Sequence, residues 1–255
     1  MSSSEASISV RLITVPDEFA ALRECWNVLA ASTGTALPVF ASHEWFDAAW
    51  QWRRQTARLY VLAYYAGPRL AGVLPLVMQQ VRSRTVTIRE LGFLTVPDTQ
   101  RCDLVAAPSD RAAAVDAFAD ELKRRRRDWD VMRLKYVVPD STATTDLRAA
   151  LEARGFKTRI ATAPNNPFVR LDSGWEAFYS TRSRSLKKAN NLAANRLHKA
   201  GAVTVDWLEP IAGADARVAE FLEAAIAISA SSWKSRTGNS LDNPGPQAFI
   251  RRLSE

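Results

Sequence analysis

The chain has 255 residues, 47% of them hydrophobic, with a formal net charge of +7 and a pI near 9.7. Such a composition can fill a core and excludes compositional disorder, and the apolar runs, broken as at Pro75, fall far short of the roughly 20 residues that a bilayer span requires. The positive balance favours an anionic partner, but by itself does not separate a nucleotide from a nucleic acid or an anionic surface.

The opening residues, Met1 to Ser9, are polar and Ser-rich, with no basic start or apolar stretch of the kind a secretion signal carries, so a cytoplasmic location is expected. Ile8 to Ile13 alternates as a strand, Phe19, Leu22, Trp26 and Leu29 form a helical stripe, and Phe46, Ala49 and Trp50 form another. Leu59 to Tyr65 and Leu70 to Val81 read as strands joined by the turn Ala66-Gly67-Pro68. Thr85 to Leu91 and the short Asp103 to Ala106 extend a mainly antiparallel sheet. Asp110 is placed to cap a helix with the stripe Ala114, Val115, Phe118, Ala119 and Leu122. Its cationic end, Lys123 to Arg127, suits the helix dipole and reads as a solvated turn rather than a nucleic-acid face. Val131 to Val138 is expected as a strand, Asp146 to Arg154 as a helix ended by Gly155, and Phe156 to Ala161 as a strand. Ala163 to Pro167 is the clearest break, giving domains over 1-163 and 164-255.

Beyond the break, a basic segment carries Arg182, Arg184, Lys187, Lys188, Arg196 and Lys199 without an intervening acid. At helical spacing Leu186, Ala189, Ala193, Leu197 and Ala200 share one face, expected to pack, while Arg184, Lys188 and Lys199 lie opposite. The opening pattern then recurs: Val203, Val205 and Trp207 alternate, Val218 to Ser229 traces a helix running to Trp233, and Phe249, Ile250 and Leu253 begin another element. Cys25, on the apolar side of its helix, and Cys102 lack metal or redox spacing and read as reduced thiols without chemistry. His43 and His198 are equally isolated, so no metal site is expected, and a serine hydrolase elbow is absent from the sequence.

The element order, together with Leu70 to Leu76 (LAGVLPL), Trp129-Asp130, Trp175 ahead of the basic segment and Ser232-Trp233-Lys234, resembles the tandem GNAT acyltransferases related to the FemAB aminoacyltransferases and to acetyltransferase-like proteins of bacterial cellulose biosynthesis. The resemblance implies an α/β, GNAT-like fold with a mixed, mainly antiparallel sheet flanked by helices. It implies a first domain that supports and shapes a site, and a second domain, incomplete here, so that the chain is expected to be a fragment. It also implies N-acetyl transfer from acetyl-CoA or another acyl-CoA to a small-molecule amine or sugar acceptor, in exopolysaccharide or cell-envelope synthesis.

The family's coenzyme loop, Q/R-x-x-G-x-G/A, binds a diphosphate through backbone N–H groups at a helix N-terminus. The equivalent segment here is Ala106-Ala107-Pro108-Ser109-Asp110-Arg111: it has no glycine, Pro108 removes a donor, and Asp110 sets a carboxylate where the diphosphate would sit. No such motif follows before Glu255, so no acyl-CoA site is assigned, and no residue is assigned as general base. The substrate-binding candidates are Arg184, Lys188 and Lys199 for a phosphate-bearing substrate, and Trp233, Lys234 and Arg236 for the acceptor. The alternatives are a non-catalytic RNA- or nucleotide-binding protein using the basic helix, or an aminoacyl-tRNA-dependent transferase.

Overall fold

The computed structural model describes residues 8–35, 37–137, 141–161, 169, 172–207, 216–233 and 240–255. They fall into two compact units, one holding the described residues up to Thr158 and from Ala216 onward, the other those between Arg159 and Trp207.

The first unit is an α/β fold. Strand β1 (Ile8–Ile13) leads into helices α1 (Pro16–Ala20) and α2 (Arg23–Ala31), a short 3-10 helix at Pro38–Ala41, and α3 (His43–Arg53). Ser42 caps α3, its hydroxyl accepting the Trp45 N–H at 3.3 Å. The predicted stripes are buried: Phe19, Leu22, Trp26 and Leu29 on one side, Phe46, Ala49 and Trp50 on the other, with Trp45 and Trp52 also packed on the core. Cys25 is a correction, since it sits beside the stripe and is exposed.

The two long predicted strands are each broken in two. Strands β2 (Ala57–Leu59) and β3 (Val61–Ala66) part at Tyr60, and β4 (Arg69–Leu74) and β5 (Leu76–Ser83) part at Pro75, which has no N–H to offer a ladder. The chain therefore changes sheet at these points. One sheet has the order β1-β3-β4-β7 and the other β2-β5-β6-β8, where β6 is Val86–Phe93, β7 is Val105–Ala106 and β8 is Val131–Met132. Gly67, with φ of +62°, makes the β3–β4 turn that its sequence promised. Every pairing is antiparallel except β6 with β8, where Glu90 lies opposite Val131 and Leu91 opposite Met132.

The link between those two parallel strands runs through β7 and helix α4 (Arg111–Arg124), which covers the first sheet so closely that a Cβ on Gly72 would stand 2.8 Å from the Ala114 Cβ. Helix α5 (Thr142–Ala153) packs beside α4. It starts four residues earlier than its apolar pattern suggests because Ser141 caps it, accepting the Thr144 N–H at 3.1 Å.

Three expected strands are absent or short. The strand expected over Val131 to Val138 pairs only at Val131 and Met132 among its described residues, Val138 lying outside them; Phe156 to Ala161 forms no strand, and Phe156 instead stacks on Trp129 at 5.5 Å. Val203 to Trp207 has no regular secondary structure, with Trp207 82% exposed. The alternation there is real, but no neighbouring strand among the described residues gives its backbone a ladder. The helices of that second pattern do form, as α8 (Ala216–Ser231) and α9 (Pro244–Leu253). α9 packs on α3, with Phe249 edge-on to Trp45 at 5.2 Å, and Arg252 Nε donating to the Asp47 carboxylate at 2.6 Å.

The other unit contains α6 (Gly174–Ser180) and α7 (Arg184–Ala200), the latter capped by Ser183. No residue of α7 is buried, and Leu186 and Leu197 are 44% and 57% exposed, so its apolar face is uncovered among the described residues. The expected packing of that face is thereby corrected. Ala163 to Pro167, where the domain boundary was read, lies outside the described residues.

Candidate functional site

The chemistry-bearing part of the first unit is the region where β7 meets the N-terminal end of α4. The connecting residues form a turn, with Asp110 N–H donating to the Ala107 carbonyl at 3.0 Å. Asp110 caps by position alone: its carboxylate makes no bond to the helix N–H groups and instead accepts both ends of the Arg69 guanidinium at 2.9 Å. Those hydrogen bonds from Arg69 hold the Asp110 carboxyl below its ordinary range. A coenzyme diphosphate does not fit here. Pro108 contributes no donor, the Asp110 N–H is already used, and a paired carboxylate stands beside the amides.

Backbone bonds also tie together the segments that flank β7 and β8. Arg133 N–H donates to Leu91 O at 2.8 Å, and farther on Cys102 N–H donates to Tyr136 O at 2.9 Å, bridging the segment before β7 to the one after β8. Burial at this bridge raises the Cys102 thiol well above its usual range, which keeps it un-ionised.

Beside the turn lies a cleft of about 190 Å³, bounded by the end of α2, the 3-10 helix, β7 and the first residues of α4 and α5. Two cations line it, Arg101 and Arg111, with the hydroxyl groups of Thr35, Ser141 and Thr142 and the carboxylate of Asp103. Asp103 is occupied locally: it accepts from Ser141 and Thr144 hydroxyls and from the Leu104 N–H. Arg111 Nη1 donates to Thr142 Oγ1 at 2.9 Å, while its buried Nε has no hydrogen-bond partner.

A second polar cluster sits on β5 and β6. Glu90 is 3% exposed, accepts from Gln79 Nε2 at 2.9 Å, and lies 3.1 Å from Arg133 Nη1 without hydrogen-bond alignment. Arg53 Nη2 donates to Gln79 Oε1, and burial lowers the Arg53 pKa against the opposing charge of Glu90. Sequence reasoning missed both clusters. Gln79 and Glu90 could have been paired from the hairpin register, where they stand directly opposite, but nothing local marks Arg53 or Arg101.

The residues singled out from sequence lie elsewhere. Arg184, Lys188 and Lys199 are exposed on α7, and Trp233 is 79% exposed beyond the end of α8. Lys234 and Arg236 lie outside the described residues. The Lys123 to Arg127 run is partly engaged within the fold: Arg124 and Arg125 both bond Glu121, and Arg127 O accepts from Arg89 Nη1 at 2.8 Å.

No family model matches the chain, and no curated protein matches it. Among solved structures, the chain is similar to a ribosomal-protein-alanine N-acetyltransferase from Brucella melitensis biovar Abortus 2308, at 13% identity over 63% of this chain and 99% of that one, with a TM-score of 0.35. It is similar to a possible acetyltransferase from Clostridium difficile 630, at 12% identity over 64% and 99%, TM-score 0.38. An aminoglycoside N-acetyltransferase in complex with CoA matches at 14% identity over 66% and 99%, TM-score 0.40. No helix of the described residues is long and apolar enough to cross a membrane.

Proposed function

We propose that the chain acts in acyl transfer as a GNAT-type protein of the FemAB-related, tandem kind, and that its first unit is a supporting copy of the fold that does not itself hold acyl-CoA. The acceptor in this reading is a small amine or sugar, and the setting is exopolysaccharide or cell-envelope synthesis. Support for the fold relationship comes from one parallel strand pair, β6 with β8, joined through α4, where the other pairings among the described residues are antiparallel. The observation that carries the supporting role is the Asp110 carboxylate, tied by Arg69 at the very turn where a diphosphate would need bare N–H groups. Calorimetric titration of the chain with acetyl-CoA tests this. No saturable heat is expected, and one-to-one binding would refute the supporting role.

A second reading rests on α7, whose Arg184, Lys188 and Lys199 stand free of burial on one side of a helix. In this reading the helix contacts a phosphate-bearing substrate, either a nucleotide-linked precursor or an RNA. Reversing the charge of Arg184 and Lys188 together should then weaken binding of a short RNA and flatten its salt dependence by about two contacts' worth. An unaltered salt slope would remove it.

A further inference from the structure

Arg111 poses a physical question that the fold does not answer. Its Nη1 is spent on Thr142, but its Nε is buried with no partner, and a buried charged donor left unpaired is costly. Arg101 lines the same cleft and makes no ion pair among the described residues. The acid that shares the cleft, Asp103, does not relieve either arginine, because its oxygens are taken by hydroxyl and amide donors. Asp110, one residue before Arg111, is committed to Arg69. The cleft thus has two guanidinium groups facing a shared space, with their nearest carboxylates engaged elsewhere.

Of its hydroxyl groups, those of Ser141 and Thr33 are spent on Asp103 and the Ala30 carbonyl, and two others can donate to a ligand. Thr142 Oγ1 accepts from Arg111, which leaves its own proton to donate. Thr35 Oγ1 accepts only a long 3.5 Å contact from the Leu37 N–H, so its proton is likewise available. A space lined by two forked cations and two hydroxyl donors selects a ligand that is all acceptor, with oxygens pointing in several directions. Its volume, about 190 Å³, is below the several hundred that drug-sized ligands fill. That size excludes burial of a coenzyme or a nucleotide.

We propose that this cleft binds a small phosphate monoester, with Arg101 and Arg111 holding the phosphate and Thr35 and Thr142 donating to it. The site uses side chains in the cleft rather than the backbone of residues 107–110, and titration with the dephospho form of acetyl-CoA, which keeps the diphosphate but lacks the ribose phosphate monoester, separates the two readings.

The test is calorimetric titration of the full chain with inorganic phosphate and with glycerol 3-phosphate, using acetate and glycerol as controls. Saturable one-to-one binding of both phosphates is expected, with acetate at least tenfold weaker and glycerol silent. Arg111→Gln and Arg101→Gln should each weaken phosphate at least tenfold. Arg111→Lys should lose less than Arg111→Gln, and Arg126→Gln, at an exposed position beyond the far end of α4, should change nothing. Thermal melts identify any variant that fails to fold, in which case Thr142→Val carries the test, with weaker phosphate binding expected. The proposal is overturned if neither phosphate saturates, if acetate matches phosphate, or if Arg126→Gln weakens binding as much as the cleft variants do.

Discussion

Glycine 72 and histidine 43 show how single residues set limits on this fold. α4 lies so close to β4 at Gly72 that Gly72→Ala would drive a methyl group into Ala114, a backbone-borne atom that cannot swing aside. Overpacking of this kind costs about 1–3 kcal/mol, so a denaturant midpoint below the native one is expected, with an unchanged slope. His43 is buried against Phe19 and Trp26, its Nε2 2.9 Å from the Phe19 carbonyl, which fits a neutral ring donating that proton. Burial lowers its pKa, outweighing the carbonyl and the nearby acids that raise it. The unfolded chain therefore takes up the proton first. The stability His43 contributes is full above its unfolded pKa of about 6.5 and is lost as pH falls from there toward its folded value. Unfolding free energies between pH 7.5 and 5 should fall more steeply for the native chain than for His43→Gln, by at most about 1.4 kcal/mol per pH unit. Parallel curves would mean that His43 titrates alike in both states. Neither feature was legible beforehand: the sequence marked His43 only as isolated, and its burial arises from Phe19 and Trp26 on other helices.

At the scale of elements, local signals were read well where one residue type has one physical consequence. The Gly67 turn and the apolar stripes of α1 to α4 are of this kind. Strand length was read poorly because a ladder depends on a neighbour that alternation does not reveal. Of the strand expected from Val131 to Val138, only Val131 and Met132 find a partner among the described residues, and the alternating Val203 to Trp207 finds none there. Pro75 was seen as a break in an apolar run, but its effect, passing one strand from the first sheet to the second, required the register of both. α9 is held on α3 by a buried aromatic and an ion pair, and Gly245 lies so close to Trp52 that a Cβ there would be 2.4 Å from the indole Nε1. Phe249→Ala should lower stability by about 3 kcal/mol and shift tryptophan emission to longer wavelength as Trp45 is wetted. An unchanged emission maximum would contradict this docking.

The whole molecule divides unequally in packing. The first unit holds essentially all the buried side chains, whereas α7 has none, so its amides are protected by helix hydrogen bonds alone. Hydrogen exchange should show α7 losing protection well before β3, β4 and α4. Equal protection would mean that the apolar face of α7 is covered in solution. For the candidate site, Pro108 and Asp110, on which the proposed supporting role rests, were legible in the sequence, because a missing N–H and an added carboxylate have the same meaning in any fold. It could not reveal the arginine-lined cleft, whose residues come together from segments as far apart as Thr35, Arg101 and Thr142. The central claim, that the turn between β7 and α4 cannot cradle a diphosphate, is tested most directly by following the backbone amide resonances of Ala107, Ser109, Asp110 and Arg111 as acetyl-CoA is added. The account predicts that they stay in place through millimolar coenzyme. Saturable movement of these amides, centred on Ser109 and Asp110, would contradict it.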